Sequence, residues 1–208
     1  MTTAPPAAFA VRDPLDPAFW DERFTRGFTP WDRGGVPQAL RAFAAASSPL
    51  VTLIPGCGAA WELAALCELG WDATAIDFSP VAVARAQEQL GPWSDHVIEA
   101  DFFAYAPAKP LQLIYERAFL CALPPIMWPQ VAARYAALLP PGALLAGFFF
   151  FDSNPKGPPF GISAAGLDAL LLPAFEKIVD DAVSDSIAVF EGKERWQVWR
   201  RRESSQGQ

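Results

Sequence analysis

The segment VTLIPGCGAAWELAALCELGWDATAIDFSP, residues 51–80, holds two short apolar runs joined by a glycine turn and a helical pattern. "LVTLI" has no polar alternation, as expected of a strand buried on both faces of a parallel sheet. "PGCG" follows it directly. "AAWELAALCELG" then reads as a helix closed by Gly70, and "DATAID" as a second strand ending in an acid. In a strand–helix–strand unit a ligand sits beyond the carboxyl ends of the strands. Gly56 and Gly58 let the backbone approach such a ligand without a side chain between. The amides of the following helix favour an anionic group. Asp77 can accept two hydrogen bonds from ribose hydroxyls, a need shared by several nucleotide cofactors.

The pattern continues outward. "SPVAVARAQEQL" is a second helix, with Ser79 as cap and Pro80 at its first position. "HVIEAD" reads as a third strand, and "LQLIYERAFLCAL" holds a fourth. "MWPQVAARYAALL" is a helix stopped by "PPG", "ALLAGFFFF" a fifth strand, and "ISAAGLDALLLPAF" contains a further helix. The end alternates around "EGK" like a hairpin. Upstream, "DPAFWDERFTRG" predicts a short helix stopping at Gly27, "FTPWDRGGVPQ" a loop, and "QALRAFAAA" another helix. Strands alternating with helices predict an α/β, Rossmann-like fold. Its mostly parallel sheet has seven strands, helices on both faces and a C-terminal antiparallel hairpin. One domain over 19–202 is expected, preceded by a flexible arm (1–18) and followed by a disordered tail (203–208).

Two features separate the possible cofactors. A dinucleotide fingerprint asks for a third glycine three positions after Gly58, and here that residue is Trp61. The third strand runs into "EADFF", where Asp101 can accept from an adenine amine. Phe102 offers an amide to a ring nitrogen and an aromatic wall. A glycine loop, a ribose acid and an adenine acid, one after each of three strands, fit S-adenosylmethionine better than NAD. Read alone, Trp20 and Trp31 fit core packing, Cys57 a small loop filler and His96 a solvated loop residue.

Composition narrows the class. Hydrophobic residues make up 52% of the 208 and charged residues 19%, a balance that supports a folded core. The net charge is −7 and no basic patch stands out beyond a short "RRR", which argues against nucleic acid as a partner. Three cysteines without metal-ligand spacing suggest reduced thiols and a cytoplasmic setting. No secretory leader, bilayer-spanning segment or metal site is expected. A monomer is expected, because nothing marks an exposed apolar surface.

"FWDERFTRGFTPWDRG", "LIPGCG", "AIDFSPVAV", "EADFF", "IYERAFLCAL" and "KGPPFGIS" together resemble the thiopurine methyltransferase family. That family includes plant halide and thiol methyltransferases and bacterial thiopurine or metalloid methyltransferases. The likeness runs from about residue 19 to 200. "TPWD" with "PGCG" is similar to the halide/thiol branch, and Arg117 in "YERA" to the thiopurine branch. Phe24 stands where plant relatives tend to have Trp. The resemblance implies a class I S-adenosylmethionine-dependent methyltransferase with no metal, acting on a small soft nucleophile. It implies a cofactor site of Trp20, Trp31, Gly56, Gly58, Asp77, Phe78, Asp101, Phe102 and Arg117. It sets Arg117 at the junction of cofactor and acceptor as the catalytic residue, with Trp31 and Phe160 also on the acceptor. The alternatives are an NAD(P)-dependent oxidoreductase, disfavoured by Trp61, Asp101 and the lack of a Tyr-x-x-x-Lys pair, and a non-catalytic binding protein.

Overall fold

Both apolar runs of the opening segment become central strands. The computed structural model describes residues 8–154 and 156–203. In it β1 (Val51–Pro55) pairs in parallel with β2 (Asp72–Asp77) on one side and with β4 (Leu113–Arg117) on the other. β3 (Val97–Glu99) and β5 (Leu144–Phe150) extend the parallel sheet, while β6 (Phe175–Ala182) and β7 (Glu194–Arg201) add antiparallel. The order is β3-β2-β1-β4-β5-β7-β6, the expected seven-stranded, mostly parallel sheet. Chain order reverses across β1, so β1 marks the switch point where such sheets open a crevice.

Alternation along each strand divides two apolar layers. Ile54, Leu113, Tyr115, Ala146 and Phe148 face the layer of α2 (Gln38–Ala46), α3 (Trp61–Glu68) and α4 (Pro80–Leu90). Leu53, Ile114, Leu145 and Phe149, one residue out of phase, face α5 (Trp128–Leu138) and α6 (Ala164–Leu171). Each fully buried Leu, Ile or Phe contributes about 1.5–3 kcal/mol by leaving water. α1 (Pro17–Thr25) docks on the start of α4. There Ser79 accepts from the Ala82 amide as a cap and donates to Asp21, and Arg85 donates to the Phe24 carbonyl.

In the described part of the N-terminal arm, residues 8–18, the Ala10 and Val11 amides donate to Glu22, the Trp20 indole donates to the Pro14 carbonyl, and α1 begins at Pro17. Residues 1–7 and most of the expected tail, 204–208, lie outside the described residues. The C-terminal hairpin does not close at a tight "EGK" turn. Residues 183–193 form a long connection whose Phe190 is buried. Its Asp185 pairs with Arg33 at 3.0 Å and accepts from the Gln38 amide. Because Glu194 at the start of β7 lies opposite Phe150 at the end of β5, this connection crosses the carboxyl edge of the sheet. Among the described residues no helix is long and apolar enough to cross a membrane.

Candidate functional site

A cleft of about 820 Å³ opens at the carboxyl edge of β1, β2 and β4, walled by α1, the 28–35 loop and the 183–193 connection. That volume lies at the upper end of the range for small-molecule sites. Gly56 (φ +57°) and Gly58 (φ +52°) line it in the left-handed region. A Cβ on Gly56 would stand 2.5 Å from the Phe119 ring, so this turn closes only on glycine. Ala60 (φ 53°) and Ala118 (φ 56°) are the two non-glycine residues with positive φ among the described residues, and both line the cleft. Strain held at loops after β1 and β4, where the packing over-determines it, is typical of binding sites.

Asp77, at the end of β2, is 7% exposed; its carboxylate accepts from the Gly58 and Ser79 amides, each at 3.0 Å. Burial raises its pKa to about 6, against those two hydrogen bonds. Phe78 follows it into the cleft. Asp101 is exposed at the rim and turns its own loop by accepting from the Phe103 amide. Phe102 is buried, edge-on to Phe119 and Tyr135. Trp20 and Trp31 meet edge to face at 5.4 Å, and Phe24 meets Trp31 at 5.9 Å, so α1 and the "TPW" loop share one aromatic wall.

Arg117 ends β4 inside the cleft. It pairs with Glu194 at 2.8 Å, while Asp152 pairs with Lys193. The guanidinium lies 4.4 Å from the Phe148 ring centre and 5.5 Å from that of Phe190. Its Nη2 is buried without a partner, as is Oε1 of Glu194. Phe160 is not among the residues that line the cleft. Its amide donates to the Cys121 carbonyl and its ring packs under Gly157, facing a small cavity beside Glu116 and Trp128. Gly157, Pro158 and Pro159 form that part of the wall.

Four contributors were missed in the sequence. Glu62 and Tyr115 form a buried hydrogen-bonded pair, and Val189 and Phe190 reach in from the long connection. Glu62 sits four residues before Leu66, on the apolar stripe of α3, a spacing that could have marked it. Nothing in the sequence predicts that Phe190 reaches the cleft.

Glu116 beside Arg117 is 1% exposed, and its Oε1 accepts from both the Phe119 and Leu120 amides. Burial raises its pKa to about 7. A carboxyl raised in the folded state adds stability that is fully present below its unfolded value and is lost as pH rises through 7. Glu116→Gln can keep both hydrogen bonds on Oε1 and carries no charge. Denaturant titrations are therefore expected to find the variant more stable than wild type at pH 8, on the order of 3 kcal/mol at most, and no more stable at pH 4.

The cleft contains no His or Lys among the described residues, and His96 lies at the opposite edge of the sheet against the Ala73 carbonyl. Burial pushes the thiols of Cys57 and Cys121 well above their ordinary range, so neither is a ready nucleophile. No group of three metal-ligating side chains occurs among the described residues. A glycine turn with no room for a Cβ and a buried carboxylate beside it fit an adenosyl group, and the unpartnered guanidinium nitrogen across the turn fits a small anion.

The family model described as thiopurine S-methyltransferase matches residues 15–204. The chain belongs to the thiopurine S-methyltransferase family. It is an S-adenosylmethionine-dependent methyltransferase. "Probable thiol methyltransferase 2" of Arabidopsis thaliana is 30% identical over 193 residues, covering 88% of this chain and 84% of that protein. A thiopurine S-methyltransferase of Vibrio cholerae is 26% identical over 177 residues, covering 76% of this chain and 81% of its own. Among solved structures, the 1,6-didemethyltoxoflavin-N1-methyltransferase of Burkholderia thailandensis with bound S-adenosylhomocysteine superposes with a TM-score of 0.69 at 18% identity. That match covers 95% of this chain and 94% of that one. It shares the fold. Within the thiopurine S-methyltransferase family, this member brings Gly56, Asp77, Phe78, Phe102, Trp20, Trp31 and Arg117 to one cleft, with Asp101 at its rim.

Proposed function

We propose that this family member methylates a small soft nucleophile, such as a thiol, a thiopurine, a halide or a related chalcogen compound, within a single domain over 19–202. The observation that carries the reading is Arg117, a buried cation with an unpartnered N–H at the junction of the glycine loop and the aromatic wall. S-adenosylmethionine supplies a methyl group on a positively charged sulfur, open to direct in-line displacement. Asp77 would hold the ribose, and Asp101 with the Phe102 amide the adenine. Gly56, Gly58 and Phe78 would line the cofactor, and Trp20 and Trp31 would cover it. Arg117 would hold the acceptor as its anion and favour that form over the protonated one. The aromatic wall and the 183–193 connection would exclude water, which strengthens that attraction. A thiolate or halide is already nucleophilic, so proximity and alignment suffice without a strong base. The absence of His and Lys from the described cleft agrees with this.

The reading is checked by calorimetry with S-adenosylhomocysteine beside NADH and NADPH, followed by an acceptor screen with hydrosulfide, small thiols, thiopurines and iodide. Micromolar binding of the first ligand alone, and turnover of at least one of these acceptors, are expected. Nicotinamide binding, or turnover confined to alcohols and amines, would overturn it.

A further inference from the structure

Glu62 is a carboxylate the reaction so far leaves unused. It is the second residue of α3, lines the cleft and is only 8% exposed. One oxygen accepts from the hydroxyl of Tyr115 at 3.3 Å, and Tyr115 is itself fully buried on β4. It makes no ion pair among the described residues. Arg117 attracts it from a distance but is committed to Glu194. A second carboxylate, Asp32, repels it from across the 28–35 loop. Asp32 is held there by the Trp61 indole N–H at 2.9 Å and the Gly34 amide at 2.8 Å. A buried carboxylate without its own cation is costly, and a second acid facing it adds to the cost. Such a group persists where a ligand completes it.

The topology says which part of a ligand arrives there. β2 and β4 flank β1 on opposite sides. Asp77 ends β2, whereas Glu62 is bonded to β4 through Tyr115. A ligand whose ribose meets Asp77 and which crosses the glycine loop toward Arg117 brings its far end to Glu62. We propose that Glu62, backed by Tyr115 and by the charge of Asp32, is the acceptor for the α-ammonium group of the cofactor's amino-acid end. The proposal rests on the S-adenosylmethionine reading above. An ammonium offers three N–H donors and a full positive charge, which is what the two acids lack.

The test crosses protein and ligand changes in a binding measurement that needs no turnover. Wild type and Glu62→Gln are titrated calorimetrically at pH 8 with S-adenosylhomocysteine and with its deaminated analogue, in which hydrogen replaces the ammonium. Methylthioadenosine, which lacks the whole amino-acid end, is the third ligand. Wild type is expected to lose roughly 10- to 100-fold in affinity when the ammonium is removed. Glu62→Gln should weaken S-adenosylhomocysteine by a similar factor, bind methylthioadenosine within about twofold of wild type, and no longer distinguish the deaminated analogue, since the two changes remove one interaction. The proposal is overturned if the variant keeps the wild-type preference for the ammonium, or weakens all three ligands equally. If Glu62→Gln does not fold, Glu62→Asp, which keeps the charge but withdraws it by one methylene, must weaken S-adenosylhomocysteine and spare methylthioadenosine. Wild type binding methylthioadenosine but showing no preference for the ammonium overturns this assignment alone. Wild type binding no adenosyl ligand overturns the cofactor reading itself.

Discussion

Replacing Arg117 by alanine is expected to lower kcat/KM for a thiol acceptor by about two to three orders of magnitude, while S-adenosylhomocysteine affinity changes by no more than about threefold. The asymmetry follows from position. Arg117 ends β4 with its guanidinium between the rings of Phe148 and Phe190, and one of its nitrogens has no protein partner. Once a bound acceptor and the surrounding wall displace the water that would screen the charge, its attraction for an anionic acceptor would be much larger than at a surface. The positive charge lowers the pKa of a bound thiol; without it the rising limb of the rate–pH profile should move to higher pH. Lysine at this position keeps the charge but not the planar fork that spans Glu194 and the cleft. Arg117→Lys should therefore recover the position of the pH profile better than the rate. A structural role alone would leave the profile in place. Alanine also leaves Glu194, 7% exposed, as a buried charge without its cation, expected to cost about 3–5 kcal/mol of stability. The double variant Arg117→Ala/Glu194→Gln should regain much of that stability and none of the turnover. Stopped-turnover assays across pH, with thermal melts and calorimetry on the same preparations, check all of this. Unchanged thiol turnover in folded Arg117→Ala with intact cofactor binding would sink the role.

What could be read from the chain and what could not divide along a physical line. β1, β4 and β5 are buried along nearly their whole length, so each shows a mostly apolar stretch in the sequence, and a parallel sheet places the residue after each strand at the same edge. That is why Gly56, Asp77 and Asp101 could be placed together from strand order, whereas Arg117 entered only through the family resemblance. Partners that come from other parts of the chain obey no such rule. Glu194 meets Arg117 across 77 positions, because β7 runs antiparallel to β5 and begins where β5 ends. Phe190 arrives on an irregular connection with no periodicity to read. Phe160, which lies off the cleft's lining, shows the limit of reading a wall from a motif. In "GPPF" the chain turns so that the glycine and prolines face the cleft, while the phenylalanine ring turns away toward Trp128. Glu62 was overlooked for a different reason: a lone acid on an apolar helix stripe looks like a surface residue until the sheet covers it.

The second large effect is expected at Asp77. Asp77→Ala should weaken S-adenosylhomocysteine at least about a hundredfold at pH 8, because it removes two things together. It takes away the acceptor for the ribose hydroxyls. It also leaves the Gly58 and Ser79 amides without the carboxylate that fixes the glycine turn and the start of α4. Each buried donor left unpaired costs about 1–3 kcal/mol, and a charged acceptor lost to a ligand costs more than a neutral one. The pH dependence separates binding from folding. Burial holds Asp77 up at about 6, so its ionised form, the one that accepts from both hydroxyls, is filled only as pH rises through that value. Wild-type affinity should therefore fall as pH drops below about 6, and the variant's weak affinity should stay flat. Stability runs the other way. A raised carboxyl contributes stability that is fully present below its unfolded value near 3.8 and is lost as pH rises through 6. Alanine cannot titrate, so the stability gap between wild type and variant should be wider at pH 4 than at pH 8, by on the order of 3 kcal/mol. Denaturant titrations at the two pH values read the gap directly. The same carboxylate thus makes the empty protein less stable at neutral pH and its cofactor tighter. A gap that widens toward pH 8 instead would mean that the Gly58 and Ser79 amides favour ionised Asp77 by more than burial costs it, and the ribose role would then have to rest on the binding data alone.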